Sequence, residues 1–311
     1  MPNRDDRKAN SRSSLHAGNK MLNFSPTLLG IGLALTNVST TSPTSAATPM
    51  PSFETVSHLK HFDVIELRRY TVADKERAHF ARYFDSYFPE AFEQLGALVF
   101  GQFLERERPN GFTWLRGYTD MSARPIINSA FYYGPLWKEH RSKVNAILPD
   151  SDNVLLLRPL HPETGISVMP AVDPVSEPGG ATGIVVAQLI PLGKDGRPDM
   201  TQRAEAQFER YKIQGVQRSG VLISLDAPNN FPQLPIRTDG PWLVWLGVAK
   251  NEQTLQALEP VMKSVASALE TTNHLNGSVE TVIMDPTPRS RLRWADPAEQ
   301  DSPAVAPIAN Q

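Results

Sequence analysis

The sequence of 311 residues contains no cysteine, so disulfides, thiolate nucleophiles, iron–sulfur clusters and cysteine-ligated zinc are excluded. It also lacks a basic excess, because 31 Lys and Arg residues face 33 Asp and Glu residues. A nucleic-acid surface needs such an excess to neutralise phosphates, so we expect no nucleic-acid partner. No apolar run reaches the ~20 residues that a spanning helix requires, and we expect no membrane span.

Signatures of several common catalytic and metal sites are also missing. No serine lies in a Gly-x-Ser-x-Gly elbow, and "PGGATG" (178–183) precedes a predicted strand, whereas a dinucleotide-binding loop follows one. The seven histidines include no His-x-x-x-His pair on a helix, so we expect no metal site. His140 could be an axial haem ligand, but charged Glu139 and Arg141 beside it favour a solvated side chain. We accordingly expect no cofactor.

Residues 1–52 differ in composition from the rest of the chain. A net-positive start precedes the short apolar run "LLGIGLAL" (28–35), and a Ser-, Thr- and Pro-rich stretch follows with small residues near Ser45–Ala47. This order is typical of a secretory signal and predicts export to the periplasm or the exterior. The alternative is a disordered tail on a cytoplasmic protein.

Beyond residue 60 the periodicity predicts a β-α-β-β-α-β unit over 60–160, the ferredoxin-like order. Its elements are expected at 62–72 (strand), 74–96 (helix), 97–107 and 112–120 (strands), 127–148 (helix, interrupted at Gly134–Pro135) and 153–160 (strand). Asp74 is the expected N-cap of the first helix and Gly96 its C′ residue.

The same order recurs in the second half of the chain. Residues 161–181 are rich in Pro and Gly and are predicted to be a linker, and a second unit follows over 182–290. It includes a helix expected at 199–220 and another with one apolar stripe: Leu255, Leu258, Met262, Val265 and Leu269. We predict an α+β fold of two tandem units forming a barrel within one chain, with a disordered tail from Thr287, chiefly 291–311.

The first strand, "VIELRRYT", carries charge on one face. Alternate residues of a strand share a face, so Glu66, Arg68 and Tyr70 lie together, opposite Ile65 and Leu67. We expect the Glu66 face to point into the space between the two sheets and the Ile65 face to contact the helices.

In the third strand Trp114, Arg116 and Tyr118 share a face, and if that face is the inner one, Arg116 and Tyr118 join Glu66 and Arg68. Buried charges require partners, so Glu66 should meet Arg68 or Arg116. One interpretation is a structural ion-pair network. The other is a pocket in which the two arginines hold an anionic or carbonyl-bearing small molecule, with a tyrosine as proton donor.

Three short motifs carry a family resemblance: "ELRRY" (66–70), "WLRGYTDMSAR" (114–124) and "GPLW" (134–137). In this order and spacing, residues 62–160 resemble the NIPSNAP family. The resemblance implies a dimeric α+β barrel fold, which small monooxygenases and haem-degrading enzymes share. It adds Arg124 and Trp137 to the ligand-binding candidates, which then comprise Glu66, Arg68, Tyr70, Arg116, Tyr118, Arg124 and Trp137.

Three functional hypotheses follow from these features. The first is a barrel that binds a small amphipathic or anionic molecule between its sheets. The second is an interaction scaffold without catalysis, and the third is a monooxygenase or haem-handling enzyme. A homo-oligomer formed through the outer helices is compatible with each of them.

Overall fold

The computed structural model describes residues 61–194, 197–272 and 274–295. The predicted signal at 1–52 lies outside these residues, so export stays a prediction. Among the described helices none has the length and apolar character needed to cross a membrane.

Each of the two units contains four strands. The first unit contains β1 (Val64–Thr71), α1 (Arg77–Tyr87), α2 (Pro89–Gln94), β2 (Leu98–Glu105), β3 (Gly111–Tyr118), α3 (Ala123–Tyr132), α4 (Pro135–Ile147) and β4 (Asp150–Pro159). The second unit contains β5 (Ile184–Pro191), α5 (Arg197–Phe208), β6 (Val216–Ser224), β7 (Trp242–Ala249), α6 (Glu252–Glu270) and β8 (Glu280–Pro286). Short 3₁₀ helices lie at Pro162–Thr164 and Glu209–Tyr211.

The eight strands form one closed antiparallel barrel in the order β1-β3-β2-β8-β5-β7-β6-β4. Each unit keeps the ferredoxin-like order within its sheet, and β2–β8 and β4–β6 pairing joins the two sheets. Both units shift register at equivalent places, between Val99 and Gly101 in one and between Arg218 and Gly220 in the other. The predicted α+β fold with an intrachain barrel is confirmed.

The middle of the space between the two sheets is apolar. Ile65, Leu67 and Leu115 from the first unit lie there in one cluster with Val244 and Leu246 from the second. The predicted direction of the first strand is therefore wrong, because Ile65 and Leu67 point into the barrel.

Glu66, Arg68 and Tyr70 consequently face the helices of their own unit. The physical reason is the opposite wall, since the second unit presents apolar side chains such as Val244 and Leu246 to the part of the interior that Ile65 and Leu67 enter. Near the end of the barrel the inward-facing Arg69 does meet a carboxylate of the second unit, that of Glu280. On the helix side, Glu66 does find a partner, because Arg124 of α3 donates a hydrogen bond to it.

Several element boundaries differ from the predicted ones. The first predicted helix is divided because Pro89 opens a separate helix, and Asp74 does not cap it but accepts a hydrogen bond from Asn110. Helix α3 begins at Ala123, four residues before the expected start. Gly96 has a φ of +96°, as the expected C′ position requires.

In the second unit the predicted helix at 199–220 was too long. It ends at Phe208, and strand β6 begins at Val216 after Gly215, whose φ is +85°. The apolar stripe of α6 is buried, as predicted.

Residues 287–295, expected to be disordered, pack against the barrel instead. Leu292 belongs to the interior cluster. Three arginines in this segment form ion pairs: Arg289 with Glu90, Arg291 with Glu93 and Arg293 with Glu177. These pairs hold the segment against the first unit and the linker.

Candidate functional site

The candidate site lies in the layer between the first unit's sheet and its helices. Strand β1 supplies Glu66, Arg68 and Tyr70, and the register pairs Glu66 with Arg116 and Arg68 with Trp114 of β3. Helix α3 covers this face with residues four apart, so that they share one side of the helix: Arg124, Asn128 and Tyr132. We call Glu66, Arg68, Arg116 and Arg124 the Glu66 cluster.

Three guanidinium groups share the carboxylate of Glu66. Arg68 Nη1 and Arg116 Nη2 donate to Oε2 over 2.8 and 2.5 Å. Arg124 Nε donates to Oε1 over 2.7 Å. The four side chains are at most 1% exposed, so these are charge-assisted bonds away from water.

The four ionised side chains of the Glu66 cluster carry more positive than negative charge. Burial alone would raise the pKa of Glu66, but Arg116, Arg68 and Arg124 outweigh it and hold that pKa well below its usual range. Burial likewise opposes the charge of Arg116, yet Glu66 keeps the pKa of Arg116 above its ordinary value. Burial raises the pKa of Tyr118, which therefore stays neutral. Within the cluster three arginines thus share one carboxylate, while the exposed Asp152 also interacts with Arg68 and the buried Asp85 lies elsewhere in the same layer.

Aromatic rings surround the guanidinium groups. The Arg116 Cζ atom lies 4.5 Å from the centroid of Phe92, 5.0 Å from that of Trp114 and 5.2 Å from that of Tyr118. Arg68 Cζ lies 5.5 Å from Tyr70 and 5.6 Å from Trp114. These cation–π contacts fix the orientation of both side chains and help to offset their desolvation.

Several donors in this layer remain unused. Among the described residues, six buried side-chain atoms have no hydrogen-bond partner, and all six are N–H donors: Trp114 Nε1, Arg116 Nε and Nη1, Arg124 Nη2, Asn128 Nδ2 and Trp137 Nε1. An unsatisfied buried donor costs about 1–3 kcal/mol, and such groups are rare in native proteins. Five of the six belong to side chains of the layer itself, and the sixth is on Trp137 of α4.

A second buried ion-pair cluster provides an internal control. Arg69 donates twice to Glu105, each time over 2.9 Å, and once to Glu280 over 2.7 Å. Thr113 and Arg108 also donate to Glu105. No buried side-chain atom of this Glu105 cluster lacks a partner within the described chain. Two carboxylates match two arginines, so this cluster has the pairing expected of a structural junction between β1, β2 and β8.

The structure brings six of the seven predicted site residues into one layer. Glu66, Arg68, Arg116 and Arg124 are ion-paired. The hydroxyl of Tyr70 accepts from Arg68 Nε over 2.8 Å. The hydroxyl of Tyr118 donates to Asn128 over 2.8 Å. Trp137, the seventh, lies on α4 and contacts Tyr132 and Phe131 rather than the charges.

Sequence reasoning missed Asn128, Tyr132, Asn229 and Asn230. The four-residue spacing from Arg124 along one helix face is a signal that could have found the first two. The other two come from residues 225–241 of the second unit, a Pro-rich connection without periodicity, and no sequence signal joins them to the site.

The connection 225–241 closes the exposed end of the layer. Arg124 Nη1 donates to Oδ1 of Asn229 and of Asn230, each over 2.9 Å. Phe231 is buried and stacks on Tyr132, with centroids 6.2 Å apart. Both units therefore contribute to the site.

His140 does not belong to this layer. It is 5% exposed, so the predicted solvated side chain is wrong. Its Nδ1 shares a hydrogen bond with the Tyr83 hydroxyl, and its ring packs on Tyr87 and Phe88. No group of three or more metal-binding side chains occurs within the part of the chain that the structure describes.

No family model matches the sequence, and no curated protein matches it either. Similar solved structures include a Lactobacillus acidophilus protein provisionally named a monooxygenase, 13% identical over 73% of this chain and 94% of its own, with a TM-score of 0.46.

An anthrone oxidase-like protein is 10% identical over 76% of this chain and 98% of its own, with a TM-score of 0.48. Chlorite dismutase from Candidatus Nitrospira defluvii, in complex with imidazole, is 12% identical over 75% of this chain and 95% of its own, with a TM-score of 0.41. Identities this low say nothing of activity, so the chemistry of the site rests on its own geometry.

Proposed function

We propose that this chain is a NIPSNAP-like α+β barrel protein that binds a small anionic molecule in the Glu66 cluster of its first unit. One observation carries the proposal: three buried guanidinium groups share a single carboxylate, and two of them keep N–H groups without a partner. We place the ligand in the sheet–helix layer, and not between the sheets as the sequence suggested, because the charged side chains lie in that layer.

The family part of the proposal rests on the motifs. Residues of "ELRRY" and "WLRGYTDMSAR" are far apart in sequence, yet Arg116 and Arg124 both donate to Glu66. Motifs that meet in one cluster support a shared site rather than a chance match of short strings.

The donors define the ligand chemistry. Planar guanidinium groups bind the paired oxygens of carboxylates and phosphates, and the low dielectric of a buried layer strengthens such contacts. The neutral Tyr70 and Tyr118 hydroxyls add polar contacts. Binding of a carboxylate- or phosphate-bearing molecule is the proposed function, and no reaction is assigned.

The scaffold hypothesis gives the same cluster a purely structural role. This hypothesis is supported by the aromatic contacts and by Glu66, because they already hold the guanidinium groups in place without a ligand. The two hypotheses differ in one measurable respect, since a structural network gains no stability from an added anion.

The test is thermal unfolding of the full chain in sodium acetate and in sodium phosphate, balanced with sodium chloride to constant ionic strength. We expect the Tm to rise with anion concentration, by the equivalent of about 2.7 kcal/mol at one hundred times the Kd. Arg116→Met should abolish the rise. The control is Arg106→Met, because Arg106 is an ion-paired arginine 28% exposed on the barrel's surface.

An equal rise in all three proteins would show a nonspecific salt effect and contradict the proposal. No rise in the wild-type chain would favour the scaffold hypothesis.

Export and association through the outer helices are separate predictions. A mature mass that lacks the residues before about position 47 would confirm export.

A further inference from the structure

A cavity of about 480 Å³ lies beside β4, beneath the connection 225–241 and next to the ends of β6 and β7. Its size falls in the range of ~300–1,000 Å³ typical of small-molecule sites. The apolar part of its wall comes from both units and includes Leu155, Leu156, Leu225, Ala227, Ile236 and Trp242.

Two wall residues connect this cavity to the Glu66 cluster. Asn229 lines the cavity and accepts a hydrogen bond from Arg124 Nη1 over 2.9 Å. Leu156 also lines it, and the register of β1 and β4 pairs Leu156 with Glu66, so both side chains lie on the same face. Asn229 therefore lies between one side of the cavity and the guanidinium group of Arg124.

The charged residues of the wall are either paired with another residue or exposed at the rim, so the deeper part of the cavity is apolar. Arg237 donates to both carboxylate oxygens of Asp239, over 2.9 and 2.6 Å, and its Cζ lies 4.3 Å from the Trp242 ring centroid. Lys194 and Asp226 are exposed and stay hydrated at the rim. Arg237 is already paired and the rim charges are hydrated. A molecule bound in this cavity therefore needs no second ionic group to match them.

We propose that this cavity takes the apolar body of the molecule whose anionic head the Glu66 cluster binds. The inference rests on the proposed function and narrows it, since the ligand is then amphipathic, with a carboxylate- or phosphate-like head and an apolar body. The second unit, whose described residues form no charged layer of their own, supplies part of the wall through residues 225–241.

The experiment is a series of straight-chain sodium carboxylates from acetate to octanoate, with 1-octanol as the molecule that lacks the head. Affinities for the full chain come from thermal unfolding at several concentrations below micelle formation. We expect each added methylene to tighten binding roughly fourfold, the ratio that ~0.8 kcal/mol per buried methylene gives. We expect octanol to bind far more weakly than octanoate.

Ala227→Phe fills the cavity, and Ala227→Ser is its control because it leaves the space open. In the Phe variant the gain with chain length should disappear while the response to acetate persists. The Ser variant should retain both.

Each result separates the two proposals. Stabilisation by acetate without any gain from longer chains overturns the cavity inference and leaves anion binding intact. Equal binding of octanoate and octanol, blocked by Ala227→Phe, overturns the anionic head and with it the proposed function. A gain with chain length that survives Ala227→Phe places the apolar body elsewhere.

Discussion

The sheet–helix layers of the two units share one strand register and differ in chemistry. Arg68 lies opposite Trp114 in the first unit, and Gln188 lies opposite Trp245 at the same place in the second. The matching positions, first unit before second, are Glu66 and Val186, Arg68 and Gln188, Tyr70 and Ile190, Arg116 and Gly247, and Tyr118 and Ala249.

The second unit fills this layer mainly with apolar side chains, and Gln188 is the buried polar residue among them. The ring of Trp245 lies over Gly247, where an added Cβ would collide with it, so the indole occupies space that a larger side chain would need. Val186, Ile190 and Ala249 pack beneath the apolar stripe of α6. A sheet–helix layer with this strand register can therefore be built largely from apolar side chains, as the second unit shows.

Of the substitutions that test this comparison, Glu66→Gln should cause the largest loss of folding stability. It leaves three buried guanidinium groups without a carboxylate, and loss of one member of a buried pair costs about 3–5 kcal/mol. Urea unfolding measures the loss. Added acetate should restore part of it, since an anion replaces the missing charge.

Glu105→Gln is the matched control, because it removes a buried carboxylate from the fully paired cluster. It should also destabilise the chain, without recovery in acetate. Equal recovery in both variants would remove the distinction between the two clusters.

Converting the first layer to the chemistry of the second tests whether the charges serve the fold. The variant combines Glu66→Val, Arg68→Gln, Arg116→Met and Arg124→Met. Replacing a buried ionic group by apolar side chains is often neutral or stabilising by about 1–4 kcal/mol. We expect a folded protein of at least wild-type stability by urea unfolding, with no response to acetate. Failure to fold, seen as a lost unfolding transition, would show that the charges are structural.

The pH dependence of stability distinguishes the layers further. The folded pKa of Glu66 is depressed below its ordinary value of 4.5, so the stability it contributes is complete above about that pH. It is lost as the pH falls, because the unfolded chain then binds the proton first, with a slope of about 1.4 kcal/mol per pH unit. Urea unfolding at pH 5, 4 and 3 should show this loss, and Glu66→Gln should lack its share. An unchanged slope in that variant would contradict the depressed pKa.

Tyr211→Phe should have the smallest effect. Its hydroxyl donates to Gln188 Oε1, a buried polar contact in the second unit's layer. Removing it leaves that oxygen unpaired and should cost about 1–2 kcal/mol in urea unfolding. Anion stabilisation should be unchanged, and a reduced response to acetate would mean that the second layer takes part in binding.

The periodicity of the sequence was sufficient to predict the two units and the barrel, because each helix stripe and each strand alternation reports local burial. It could not decide which face of β1 points inward. Ile65 and Leu67 are compatible with either side, and only the apolar wall of the other unit settles the choice. Asn229 and Asn230 escaped prediction for a related reason, since their role depends on where an aperiodic connection lies.

The most direct test of the account is a crystal structure of the full chain with selenate, an oxyanion located by the anomalous scattering of selenium. The expected result is one anomalous peak in the layer between β1, β3 and α3, within hydrogen-bond distance of Arg116 and Arg124. No peak in that layer at a selenate concentration that raises the Tm, or an equal peak between β5, β7 and α6, would contradict it.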